Sequence, residues 1–447
     1  MNDLPVSAPA PSPHRDGGVL LMSIGMQGCL NPLVELASVL RARGHRVRLA
    51  TDESLLGRIR SLEDEGVELL SSGRRADYVA MLDHLLHEAS KSERLAFRHV
   101  LWHERWLRTE ARHMHQNLVG PLSAEPPRLI VGDIATYAAK RLARELRVPL
   151  LLNHAGVPPS LFENLLWPRG LVMRLVAALV RAHRRWKERS LSASAMRRWE
   201  WQTRLDLWPH YDFKKTPLLC NTMLGAERDE EIPPGLLLTG AMGGARPGQQ
   251  LSDAANPGLR EWLDDARSAG SRVVYASFGS VMVPSTDLLA RVTAGLRRLV
   301  EVDEQVRVLW SLGANYHPAA LPLLEGVDRR RLRIETWVPQ VAVLEHGVVE
   351  AMLYHGGANG VHEALSRGVP LVIVPFGFDQ VSHGRMVAAE GAGMWMGRHE
   401  VSAASLSSAL HTLLTDPGFA RAARLLRDRD RRLGGATRAA RLIEERL

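Results

Sequence analysis

The sequence predicts an α/β protein built from two doubly wound, Rossmann-like parallel-sheet halves, and three observations carry that prediction. A chain of 447 residues is too long for one compact core. Short apolar runs alternate with segments of helical periodicity in two separate series. Between the series the composition changes to ARPGQQLSDAANPG, which reads as a linker. The expected division is a disordered tail at 1–18, an N-terminal domain at 19–244, a linker at 245–257, a C-terminal domain at 258–418 and terminal helices at 419–447.

In the first series, Val19–Ile24 is a strand of apolar residues. Asn31-Pro32 offers a helix start, with Asn as N-cap and Pro at the first helical position. Leu33, Leu36, Ala37 and Leu40 follow at core spacing, and Gly44 is a natural residue for ending the helix. Arg46–Ala50 returns as a strand. Leu129–Val131, a helix over Ala138–Leu146 and Pro149–Leu152 repeat the unit, after a helical excursion at 76–120. The second series runs through strand Arg272–Ser277, helix Asp287–Val300, and strands Val306–Trp310 and Leu332–Glu335.

The segment that follows, from Trp337 to Gln380, carries the chemistry. Ala351–Tyr354 reads as a buried strand and Ala358–Ser366 as a helix, so His355-Gly356-Gly357 forms the turn between them. Such a turn presents free N–H groups and the positive end of a helix dipole to an anion. Glycine there lets the backbone approach a diphosphate. Glu363, within two turns on the same helix, suits a pair of ribose hydroxyls better than a phosphate. Trp337 offers a flat face for a pyrimidine, and Asp379-Gln380, past the strand Leu371–Val374, offers donors and acceptors to sugar hydroxyls.

In that order, these residues resemble the donor-binding signature of the UDP-glycosyltransferases, sugar-transferase family 1, and the resemblance extends over the whole chain. It implies two domains facing across a cleft (the GT-B fold), with the last helix, about Phe419–Leu447, crossing back to the first domain. It assigns Trp337 to uracil, Gln340 to the base or ribose, and His355, Gly357 and Asn359 to the diphosphate. Glu363 takes the ribose and Asp379-Gln380 the hexose, with Gly279-Ser280 in YASFGS also near the leaving group. One position departs. After Asn359 the family usually carries Ser or Thr on the phosphate, whereas Gly360 offers only its backbone, so one hydrogen bond fewer is expected.

A second departure lies in the first loop, where family members commonly read Gln-Gly-His-x-Asn-Pro and the His takes the acceptor's proton. This chain has Gln27-Gly28-Cys29-Leu30-Asn31-Pro32, while the usual partner of that His is matched by Asp133 in LIVGDIAT. Three readings are open. Cys29 is the base as a thiolate, although an ordinary thiol titrates near pH 8.5. Alternatively His154, just past a strand end in LLLNHAG, takes over. Thirdly, the acceptor is acidic enough to need little help.

The resemblance therefore implies an inverting UDP-sugar-dependent hexosyltransferase, with glucose the expected sugar. The expected acceptor is a small apolar molecule of the bacterial natural-product or antibiotic type. Phe162, Trp167 and Trp186 are the candidate acceptor contacts. Its rivals are a non-catalytic nucleotide-sugar-binding auxiliary protein that has lost the base, and a sugar-nucleotide epimerase or hydrolase of the same fold.

The net charge of +8 does not imply nucleic acid, because arginine carries nearly all of it and no basic run is interleaved with aromatics. Lysine occurs only at 91, 140, 187, 214 and 215. Cys29 and Cys220 cannot build a disulfide framework, which fits a reducing cytoplasm. The first 18 residues lack the apolar run of a signal peptide. Residues 171–189 could lie on a membrane as a basic amphipathic helix, but docking beside the acceptor cleft explains their apolar stripe as well. No tightly bound cofactor or metal is expected: no acidic pair flanks the phosphate turn, and His103, His113 and His115 read as exposed helical residues.

Overall fold

The computed structural model describes residues 17–74, 97–156, 215–225, 232–244, 250–279, 284–377 and 379–447, with only the backbone for 97–104. The tail at 1–16, Phe162, Trp167, Trp186, the 171–189 segment, Ser280 and the His103 side chain therefore lie outside the described residues.

Two wholly parallel sheets form the frame. The first has the order β3-β2-β1-β4-β5-β6-β7, from Glu68–Ser71, Val47–Thr51, Val19–Met22, Leu129–Asp133, Leu150–His154, Leu218–Cys220 and Leu236–Leu238. The second has the order β10-β9-β8-β11-β12-β13, from Leu332–Glu335, Val306–Ser311, Arg272–Ser277, Val349–Tyr354, Leu371–Ile373 and Gly393–Trp395. Helices cover both faces, so strands such as β1 (VLLM) and β4 (LIVGD) are buried along their whole length. This is the expected fold class. The strand order reverses between β1 and β4 in one sheet and between β8 and β11 in the other. Ligands of doubly wound sheets bind at such switch points, beyond the carboxyl ends of the strands.

The first helix spans Gln27–Ala42, five residues longer at its start than the Asn31-Pro32 signal suggests. Met26 precedes it without a side-chain cap, so the true start carries no local cue, and Pro32 lies inside the helix. Proline has no N–H to return to the carbonyl four residues back, which leaves the Gly28 carbonyl without its helical partner. The Asn359 side chain of the other domain donates to that carbonyl at 3.2 Å.

The C-terminal segment forms two helices, Pro417–Leu433 and Gly435–Glu444, broken at Gly434 (φ +91°) and Gly435 (φ +55°). The second packs Ala436, Ala439, Ala440 and Ile443 into the core shared with Leu33, Leu36 and Leu40 of the first helix. An Arg43–Glu444 ion pair at 2.6 Å and a His45–Glu444 contact at 2.8 Å close the crossing. Among the described residues no helix is long and apolar enough to cross a membrane.

Candidate active site: a diphosphate turn facing an acceptor loop

The donor turn follows from the end of β11. Gly356 adopts φ +92°, and a Cβ there would meet Ile373 Cγ2 at 2.8 Å and the Gln380 carbonyl at 3.0 Å, so only glycine fits. The helix Ala358–Leu365 begins at once, with Gly357 as N-cap and no side-chain cap. Val361 N–H is the first to bond back, to the Gly357 carbonyl at 3.1 Å. Gly360 N–H bonds to the Tyr354 hydroxyl, so the N–H groups of Ala358 and Asn359 are those the helix start offers a ligand.

His355 is 7 % exposed, its ring held between two glycines: a Cβ on either Gly279 or Gly357 would come within 2.6 Å of it. Burial foremost, then the nearby His383, pushes its pKa down to about 3, so the ring is neutral at physiological pH. Its Nδ1 is buried with no hydrogen-bond partner. A neutral imidazole binds phosphate as a hydrogen-bond donor, not as a cation.

The expected base and ribose end is built from a chain of side chains. Tyr275 OH donates to Gln340 Oε1 at 3.1 Å, and Gln340 Nε2 donates to Glu363 Oε2 at 2.6 Å. Both ends of the Gln340 amide are thus occupied within the protein, and its part is to aim the Glu363 carboxylate. Tyr275, in the centre of β8, is invisible to a strand pattern that asks only for apolar bulk. Trp337 is 50 % exposed, with its carbonyl pinned by Asn256 Nδ2 at 2.6 Å, so the indole projects outward as a stacking face needs to. Gln380 is buried, and its amide oxygen accepts from Phe376 N–H at 2.7 Å and Gly377 N–H at 3.3 Å, which shapes the loop after β12. Asp379, next to it, is partly exposed, 3.8 Å from His383 Nδ1.

The acceptor side is built at the other switch point. Asp133 ends β4, 1 % exposed, with Oδ1 accepting from Ala135 N–H at 2.9 Å. Burial raises its pKa to about 7, against the opposing hydrogen bonds of Ala135 N–H and the Cys29 thiol. Cys29 sits in the first turn of its helix within hydrogen-bonding reach of that carboxyl. A helix N-terminus favours a thiolate, but burial, then Asp133, then Asp379 across the cleft push the thiol well above its ordinary value.

Asn153 is the register partner of Asp133, so the two side chains share a face of the sheet. It is fully buried, and neither atom of its amide has a partner. His154 therefore points to the opposite face, toward His362 of the other domain. His362 in turn contacts Thr222 Oγ1 at 2.8 Å. Away from the site, His115 pairs with Glu145 at 2.6 Å and His113 contacts Asn117 at 3.4 Å. Among the described residues no group of three His, Cys, Asp or Glu side chains could hold a metal ion.

With this geometry in hand, comparison with known proteins is specific. Residues 249–431 match the family model described as UDP-glucoronosyl and UDP-glucosyl transferase. Over those residues the chain is similar to the UDP-glycosyltransferases. Along its length the chain is 24 % identical to a UDP-glycosyltransferase of Talaromyces amestolkiae, covering 89 % of this chain and 79 % of that one. Over 166 residues, 37 % of this chain and 29 % of the other, it is 33 % identical to human UDP-glucuronosyltransferase 2B10. Among solved structures, the glycotransferase of kitacinnamycin superposes with a TM-score of 0.65 at 23 % identity, covering 96 % of this chain and 98 % of that one. At that identity the likeness is one of fold, and the fold is GT-B.

Proposed function

We propose that this protein is an inverting glycosyltransferase that moves a sugar, glucose in the first instance, from a UDP-sugar to a small, largely apolar acceptor of the natural-product type. The observation that carries the reading is the Asn359 Nδ2 to Gly28 carbonyl contact, 3.2 Å across the cleft. It sets the phosphate turn beside the loop that bears Cys29, as direct attack on a donor's anomeric carbon requires. The solved glycosyltransferases that share the fold include enzymes of kitacinnamycin and calicheamicin, which supports an acceptor of that kind.

In the proposed reaction, the acceptor oxygen attacks the anomeric carbon from the face opposite the diphosphate. The carbon–oxygen bond to the phosphate breaks with its electron pair on UDP, and the acceptor's proton passes to Asp133. A thiol is a weak hydrogen-bond donor. An acceptor hydroxyl, bonding to an ionised carboxylate, displaces it at little cost. The leaving diphosphate is stabilised by the free N–H groups of the turn and by His355. Incubation with labelled UDP-glucose and an extract of the source organism should yield a product heavier by one hexose. UDP-glucose binding with no such product in any extract would favour a non-catalytic binding protein.

Two further expectations follow from this chemistry. Because the thiol stays protonated, Cys29→Ala should change turnover by only a few-fold, and Cys29→His should retain or raise it, since Asp133 can orient an imidazole. A loss of about a hundredfold in the Ala variant, with UDP-glucose affinity intact, would make the thiol itself catalytic. With the diphosphate held by a helix N-terminus, EDTA should leave the rate nearly unchanged. Loss of activity restored by magnesium or manganese would contradict that.

A further inference from the structure

Gly360 has no side chain to offer a phosphate, and the structure gives a reason it has none. A Cβ built on it would lie 2.3 Å from Tyr354 Cζ and 2.4 Å from Tyr354 Oη, so the phenol already fills the space in which a side chain at 360 would stand. Tyr354 is the last residue of β11, 6 % exposed, and its ring leans on the His355 imidazole at 4.2 Å between centroids. A hydroxyl is thus present at the first turn of the donor helix, delivered from the strand beneath.

We infer that the Tyr354 hydroxyl is a ligand of the donor's diphosphate, standing in for the side-chain hydroxyl that position 360 lacks. The inference rests on the donor-site reading above and adds a residue to it. The neighbouring His355 Nδ1, buried and without a partner, points to the same missing anion. Burial first, then the fields of Glu363, Tyr275 and Asp379, push the phenol well above its ordinary pKa against the opposing Gly360 N–H, so it remains a donor at physiological pH. A phenol O–H donating to a phosphate oxygen makes a charge-assisted bond, the stronger kind.

The test is calorimetry on the full chain with UDP and uridine as separate probes. Tyr354→Phe should weaken UDP binding about tenfold or more while leaving uridine affinity unchanged. Tyr354→Val should do the same. Adding Gly360→Ser to Tyr354→Val, where the space is now open, should restore UDP affinity by returning a hydroxyl from the helix side. Should Tyr354→Phe fail to fold, the comparison of Tyr354→Val with Tyr354→Val/Gly360→Ser decides alone. Wild-type UDP affinity in folded Tyr354→Phe, or equal losses for UDP and uridine, would overturn the inference. Failure of the wild type to bind either probe would instead remove the donor-site reading on which it rests.

Discussion

Asp133→Asn should lower turnover by about 10²–10⁴-fold, the range typical of a lost acid–base group, with UDP-glucose affinity and folding preserved. The amide is isosteric and keeps an oxygen to accept from Ala135 N–H, so the loop after β4 has little reason to move. What it cannot do is take a proton. The sign of the pH dependence follows from the direction of the shift. Burial raises the Asp133 carboxyl to about 7, so below that value it is protonated and useless as a base, and above it ionised and competent. The wild-type kcat/KM should therefore climb as pH rises through about 7 and then level off. Cys29 is the titratable group that reaches it from the first helix, and Asp379 acts on that thiol from across the cleft. Asp133 and Asp379 both disfavour a thiolate, so Cys29→Ala should keep the climb but move it to higher pH, because the thiol hydrogen bond that lowers the Asp133 carboxyl is lost. An Asn variant with wild-type turnover, or a wild-type profile flat from pH 5 to 9 on a non-acidic acceptor, would rule Asp133 out.

Glu363→Ala and His355→Ala should each abolish measurable transfer by weakening the donor complex. Removing Glu363 takes away the proposed ribose acceptor and leaves Gln340 Nε2, which donates to it at 2.6 Å, without a partner. Removing His355 empties the space between Gly279 and Gly357, both of which approach its ring too closely for any other side chain. Hydrogen bonds to charged groups contribute about 1.5–3 kcal/mol, which corresponds to a loss of roughly 10- to 150-fold in affinity. Calorimetry with UDP-glucose measures this directly. Unchanged affinity in both variants would remove the donor site from this turn.

Much of the frame is legible in the amino-acid pattern alone. Strands Arg272–Ser277 and Leu332–Glu335 fall where their apolar runs place them, and the turn at His355-Gly356-Gly357 separates strand from helix as expected. Buried parallel strands are continuous apolar runs, and a glycine turn before a helix is a local signal. The start of the first helix differs from the expected one because Asn31-Pro32 carries a strong local cue, while Met26, the actual N-cap, carries none. The short strands β6, β7 and β13, of three residues each, give no pattern long enough to read.

The amino-acid sequence by itself determined the two alternating series, the order of the candidate donor residues from Trp337 to Gln380, and the cysteine at position 29. Only the tertiary structure decided what those residues are free to do. Gln340 and Gln380 direct their amides into the protein, and Asn359 reaches a carbonyl that Pro32 leaves unpaired, 331 positions away in the chain. Tyr354 fills the space above Gly360, and burial raises the Asp133 carboxyl to about 7. The physical reason is common to all of these. Periodicity and turn chemistry are properties of neighbours in sequence, whereas hydrogen-bond partners, steric exclusion and desolvation depend on groups that folding alone brings together.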